Sequence, residues 1–219
     1  MIFPLHEPTL HLLTGLQGLE LGASGHNPFG VNALNVAPLA DRRTILDQID
    51  LGCLPRAVDL DGHAEYIPAD DSSQDFVIAS WVLHLTPNLL GALHEINRVV
   101  RNGGYVVIFW PAEVFHISTV AEIMQVYEER GLGTPVSEAE LWINGRLGNY
   151  WRLTQLDFSA LVQMLKSGLR YNTASQRQLR LDWRLDWSVV AAEDPDTKTG
   201  AGWFLAFKVK KNTEDAHDA

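Results

Sequence analysis

Two short apolar runs, FVIAS at 76–80 and YVVIF at 105–109, constrain this chain most. Both are continuous β-branched and aromatic stretches, as expected of strands buried on both faces. Between them, Asn88–Arg101 places Leu89, Leu90, Leu93, Ile96, Val99 and Val100 on one face at helical spacing. Asn102-Gly103-Gly104, tolerant of positive φ, is expected to stop that helix. A strand, a helix and a second strand in this order predict two parallel neighbours in a sheet covered by helices.

Upstream, Gln17–Leu21, Ala33–Val36 and Ala57–Leu60 read as three more strands. Downstream, Val120–Arg130 has helical spacing, and Thr154-x-x-Asp157 resembles a capping box opening a helix through Phe158, Leu161 and Leu165. Trp187–Ala192 and Trp203–Val209 are strand-like and joined by the polar link Glu193–Gly200. With no helix between them they must be antiparallel. The expected fold class is α/β: a doubly wound, mostly parallel sheet closed by a C-terminal antiparallel hairpin.

Composition narrows the function classes. The 219 residues, 46% of them hydrophobic, suit one domain. No apolar run is long enough to span a bilayer, and MIFPLHEPTL lacks a basic region followed by an apolar stretch, so a cytoplasmic protein away from membranes is the expectation. The single Cys53 excludes an internal disulfide framework and a cysteine-based zinc cluster. A net charge of −10, with Lys and Arg scattered apart from Lys208–Lys211, gives no basic stripe for nucleic acid. Eight histidines without metal-ligand spacing give no metal site, and no G-x-S-x-G elbow is present. Most of the seven tryptophans are expected in core or lid packing, and an exposed pair would instead mark a site for a flat or sugar-like ligand.

The stretch LELGASGHNPFGVNALNVA at 19–37 ends an apolar run in an acid and follows it with Gly22, Ser24, Gly25 and Gly30. Glycines there let backbone approach a bulky ligand, and exposed amides can bind polar groups. Taken with Ala64–Ile78, with Arg98–Tyr105 and with Glu193–Lys211, this stretch resembles the class I S-adenosylmethionine-dependent methyltransferases. The likeness is to their small type 11 branch, often found near sugar and cell-envelope biosynthesis, and it spans roughly 17–110 and 185–211. The resemblance implies a Rossmann-like methyltransferase fold, with ligand at the carboxyl ends of the strands. It implies S-adenosylmethionine as cofactor, contacted by Glu20, Gly22, Ala23, Ser24, Gly25, Asn35, His63, Ala64, Ser80 and Trp81. Glu20 would accept hydrogen bonds through water or from the methionine portion.

Three positions depart from the family. Ala37 stands where an acid normally bonds both ribose hydroxyls; Asn35 is a substitute only if it leaves the opposite face of the strand. His63 replaces the Asp that binds the adenine amine, and a neutral imidazole can accept one such bond. His84 and Leu85 replace the Glu-His pair after the fourth strand. His84, just past a strand end, is the first candidate general base, and His116 the second.

The implied activity is methyl transfer to a small-molecule acceptor, sugar-derived or a secondary metabolite. The alternative is a methyltransferase-fold protein without methyl transfer, acting as a binding or scaffold partner. The whole of 1–219 reads as one methyltransferase-like domain, with 111–184 as a variable insertion. Its segment Leu141–Trp151 is either a lid or a dimer contact, and an apolar face on Leu179–Leu185 suits pairing within or between chains, so a homodimer is one expected assembly.

Overall fold

The computed structural model describes residues 2–39, 42–112, 118–132, 151–168, 170–172, 178–181 and 183–211. Its centre is a seven-stranded sheet, built from β1 (Gln17–Leu21), β2 (Asn32–Ala37), β3 (Leu60–Asp61), β4 (Gln74–Ser80), β5 (Val100–Pro111), β8 (Asp186–Glu193) and β9 (Gly202–Lys210). The order is β3-β2-β1-β4-β5-β9-β8. The first five strands are parallel, β9 runs antiparallel to β5, and β8 antiparallel to β9. A separate small ribbon pairs β6 (Arg170–Asn172) with β7 (Gln178–Arg180). The sheet class and its C-terminal hairpin match the sequence expectation.

Both faces of the central strands are dry, which explains their uninterrupted apolar sequences. On β5, Val106, Ile108 and Trp110 enter one core cluster while Val107 and Phe109 enter the other. On β4, Val77 and Ala79 face the first and Phe76 and Ile78 the second. The larger cluster is covered by α3 (Leu89–Val99), α4 (Val120–Arg130) and α5 (Gln155–Lys166). Leu13 of α1 (Glu7–Leu13) and Phe29 close the smaller one. Asn88 caps α3 by accepting the Gly91 N–H, and Thr154 with Asp157 forms a complete capping box on α5. The tryptophans are largely core: Trp187 and Trp203 are buried, and Trp203 stacks on Trp110 with centroids 5.5 Å apart.

Three local expectations are corrected. The strand expected over Ala57–Leu60 shrinks to Leu60–Asp61: upstream, one ladder bond continues, from the Asp59 N–H to the Asn35 carbonyl at 3.0 Å, and side chains supply further links. The Asp59 carboxylate accepts the Asn35 N–H at 2.8 Å, and Asn35 Nδ2 donates to the Ala57 carbonyl at 2.9 Å. The helix expected to reach Arg101 stops at Val99, and Asn102-Gly103-Gly104 lies inside β5 with Gly103 at φ 77°. Two helices escaped the sequence reading, α1 and α2 (Arg42–Asp50), the latter with Ile45, Leu46 and Ile49 exposed. No helix among the described residues is long and apolar enough to cross a membrane.

Candidate functional site

In open α/β sheets ligands bind beyond the carboxyl ends of the strands, where strand order reverses. Here that point is β1, which has β2 on one side and β4 on the other. A cavity of about 310 Å³ opens there, lined in part by Glu20, Leu21 and Gly22 from β1 and its loop.

The loop after β1 is fixed by its own bonds. Gly22 turns at φ 62° and donates its N–H to the Val36 carbonyl at 2.9 Å. Ala23 donates its N–H to Asn35 Oδ1 at 2.9 Å. Asn35 is thus buried beneath the loop, a support for it rather than part of the cavity lining. Gly25 donates its N–H to Gln48 Oε1 at 2.7 Å, and the same oxygen takes the Arg56 N–H at 3.0 Å. A methyl group on Gly25 would stand 2.1 Å from the Leu54 carbonyl oxygen. The chain following β2 therefore packs straight onto the loop, through the space that this glycine leaves.

The two ends of the cavity differ in chemistry. Toward β2 and β3 it is lined by Val36, Ala37, Pro38, Asp47, His63 and Ala64. His63 Nδ1 accepts the Glu65 N–H at 3.2 Å, which leaves the ring proton on Nε2. Burial lowers the His63 pKa, against the opposing pull of the Glu95 carboxylate. Toward β4 the lining is polar, with Ser24, His26, Asn27, Ser80 and Thr199, flanked by Phe3 and Trp81. Ser24 Oγ bonds His26 Nδ1, and Asn27 Nδ2 donates to Ser80 Oγ at 2.9 Å. Asn27 Oδ1 is buried and has no hydrogen-bond partner among the described residues. Trp81 holds φ 56°, a left-handed conformation uncommon for a bulky side chain, and its N–H is anchored on the Phe109 carbonyl at 2.9 Å.

Charge at the site is set mainly by burial. The Glu20 carboxyl is pushed up to about 7 by desolvation, which outweighs the attraction of Arg56 and Lys198. Lys198 is lowered to about 8, again mainly by burial, with Glu20 pulling the other way. Its ammonium donates to the Pro4 carbonyl at 2.6 Å and the Pro28 carbonyl at 2.7 Å, tying the β8–β9 link to the N-terminal segment and the glycine loop. His26 is lowered by burial first and by nearby positive charge, Lys198 included, second, so its neutral form is favoured.

Of the residues expected from sequence, Glu20, Gly22, Ser24, His63, Ala64, Ser80 and Trp81 come together around this cavity. Ala23, Gly25 and Asn35 shape the loop without lining it. His84 also stands outside the lining: it is buried in the short turn Leu83–Leu85, 6.0 Å from the Trp110 ring, with Nδ1 unpartnered among the described residues. Burial lowers its pKa to about 4. His116 and residues 141–150 lie outside the described residues. The sequence reading missed Phe3, His26, Asn27, Asp47, Gln48 and Thr199. His26 and Asn27 had a signal, as polar residues directly after the glycine loop; Phe3 and Thr199 reach the site only through tertiary folding.

Residues 35–108 match the family model described as a methyltransferase domain. That match runs from β2 through β5 and agrees with the resemblance carried by the motifs. An uncharacterized methyltransferase of Mycobacterium tuberculosis is 29% identical over 102 residues, 47% of this chain and 40% of that protein. Its counterpart in Mycobacterium bovis matches equally. The chain thus covers 40% of the length of these curated relatives. Among solved structures, an S-adenosylmethionine-dependent methyltransferase of Thermotoga maritima is 19% identical with a TM-score of 0.49, over 92% of this chain and 85% of that one. One from Methanosarcina mazei is 11% identical with a TM-score of 0.49, over 95% and 99%.

Proposed function

We propose that this chain binds S-adenosylmethionine and transfers its methyl group to a small-molecule acceptor. The carrying observation is that a methyltransferase-domain match at 35–108 coincides with a cavity at the carboxyl ends of the strands, at the reversal of strand order. When bound, the cofactor would supply an electrophilic methyl group on a sulfonium, which passes to the acceptor as the carbon–sulfur bond breaks and S-adenosylhomocysteine leaves.

The residues toward β2 and β3, Pro38, His63 and Ala64, would hold the adenine. His63, with its proton on Nε2, donates to a ring nitrogen instead of accepting from the exocyclic amine. Glu20 and the Gly22 turn face the methionine portion, where a buried acid suits an ammonium group. Asn27 Oδ1, unpartnered among the described residues, suits a donor on either the cofactor or the acceptor. The acceptor enters beside Phe3 and Trp81. Where it needs to lose a proton, His26 replaces His84 as the base candidate: it lines the cavity, is neutral near pH 7, and has one ring nitrogen held by Ser24.

A second reading, binding without methyl transfer, is favoured by one observation. The ribose end offers Ala37 in place of a carboxylate, a loss of roughly 1.5–3 kcal/mol if nothing replaces it. Calorimetric titration with S-adenosylhomocysteine tests the cofactor reading. Binding in the micromolar range is expected, and no binding at millimolar concentration overturns it.

A further inference from the structure

We propose that the acceptor is a planar, largely apolar ring carrying a single hydrogen-bond donor, a phenolic O–H or an aromatic N–H, and is not a polyhydroxylated, sugar-like molecule. This rests on the methyl-transfer reading above and names the substrate class of that same site.

The side-chain polar groups at the β4 end of the cavity are nearly all engaged. Ser24 Oγ bonds His26 Nδ1, and Ser80 Oγ accepts from Asn27 Nδ2. Thr199 Oγ1 donates to Asp196 Oδ2 at 2.7 Å and accepts the Ala201 N–H at 3.2 Å. What remains there among the described residues is Asn27 Oδ1, buried and without a partner, and the second ring nitrogen of His26. An amide oxygen only accepts, so whatever fills it must donate. Glu20 answers the cofactor's ammonium in the reading above, which leaves Asn27 to the acceptor. A sugar brings a hydroxyl on nearly every carbon, each needing a partner once it leaves water, and most would find none here. One donor on an apolar body fits.

Two aromatic side chains adjoin that polar pair, one through each residue. Phe3 donates its N–H to the His26 carbonyl at 2.8 Å, and its ring centroid lies 5.9 Å from the imidazole. Asn27 is tied to Ser80, the residue before Trp81. Phe3 and Trp81 both line the cavity. Trp81 is the more telling of the two, being 36% exposed and held at φ 56°. That backbone strains a bulky side chain, whereas glycine adopts it freely. The turn alone does not call for an indole, so the indole is explained by what it touches. A flat ring, stacked or edge-on, is the ligand that matches an aromatic face.

The test is ligand-observed NMR titration of the full chain, saturated with S-adenosylhomocysteine, against phenol, anisole, cyclohexanol and glucose. Phenol is planar with one donor, anisole lacks the donor, cyclohexanol lacks the planarity, and glucose carries many donors. Phenol should bind about tenfold tighter than anisole and about fivefold tighter than cyclohexanol, with glucose weakest. Asn27→Ala should abolish the preference for phenol over anisole, and Trp81→Gly, which also relieves the strained backbone, the preference over cyclohexanol. Each readout is a ratio within one protein, which a general loosening of the fold does not shift selectively, and the wild-type series stands without either variant. Phenol binding no tighter than anisole or glucose, in a protein that binds S-adenosylhomocysteine, overturns the acceptor class and leaves the cofactor reading standing. Preferences that persist in both variants overturn its placement on Asn27 and Trp81. A protein that binds no S-adenosylhomocysteine overturns the cofactor reading, and the acceptor class falls with it.

Discussion

The two flanks of β1 are built by different means. Toward β4, β5, β9 and β8 the sheet is long-stranded and buried on both faces, and its turns are anchored on backbone, as Trp81 is on Phe109. Toward β2 and β3 the last strand has two residues, and side chains (Asn35, Gln48, Asp59) add to a few backbone bonds in the joining. Ile45, Leu46 and Ile49 of α2 stay exposed. The polar end of the cavity thus rests on the well-packed flank, and the end lined by Ala37, Pro38 and His63 on the thinly packed one.

The largest expected effects come from two buried titrating groups on the β1–β4 side, one inside the cavity and one behind its wall. Glu20, at about 7 against an ordinary 4.5, is held protonated more tightly by the native state than by the unfolded chain. Stability therefore falls as pH rises from about 4.5 to about 7, and the ionised form costs about 3 kcal/mol above that. Glu20→Gln should unfold at higher temperature than the wild type near pH 8, with the gap closing near pH 5, while binding S-adenosylhomocysteine more weakly. That combination identifies an acid kept for its ligand at the expense of stability. Equal melting temperatures at pH 8 would show that Glu20 is effectively solvated.

His84 slopes the other way. Its pKa of about 4 lies below the ordinary 6.5, so the unfolded chain takes up the proton first and stability falls as pH drops from about 6.5 to about 4, again by about 3 kcal/mol. Between about pH 4.5 and 6.5 the two groups oppose each other, and the wild-type profile should be nearly flat. His84→Leu should expose the Glu20 slope in thermal melts across that range and leave S-adenosylhomocysteine affinity unchanged. A loss of affinity without loss of stability would return His84 to the site.

Sequence revealed most where a single periodicity decides the outcome. FVIAS and YVVIF could only be strands buried on both faces, and Thr154 with Asp157 could be read as a cap three residues apart. The strand at 57–60 was overcalled because, before Leu60, its links to β2 mix one backbone bond with side-chain bonds 22–24 residues away, which no local pattern displays. Helix α2 was missed although Ile45, Leu46 and Ile49 share one face of it: three apolar residues in nine make a short stripe, and that face stays exposed. In the site, residues on the strand ends were legible, because a strand's carboxyl end points at the ligand. Gly25 was legible as a loop residue and Asn35 as a strand residue, both expected at the cofactor, but neither as a support, since the bonds that make them so reach parts of the chain 12 and 23 residues away. Asp47 carried no motif at all.

The smallest effect sharpens the contrast between the flanks. Were Ala37 simply a lost contact, Ala37→Asp would tighten S-adenosylhomocysteine binding by about tenfold. Unchanged affinity would mean that the ribose does not sit at the end of β2.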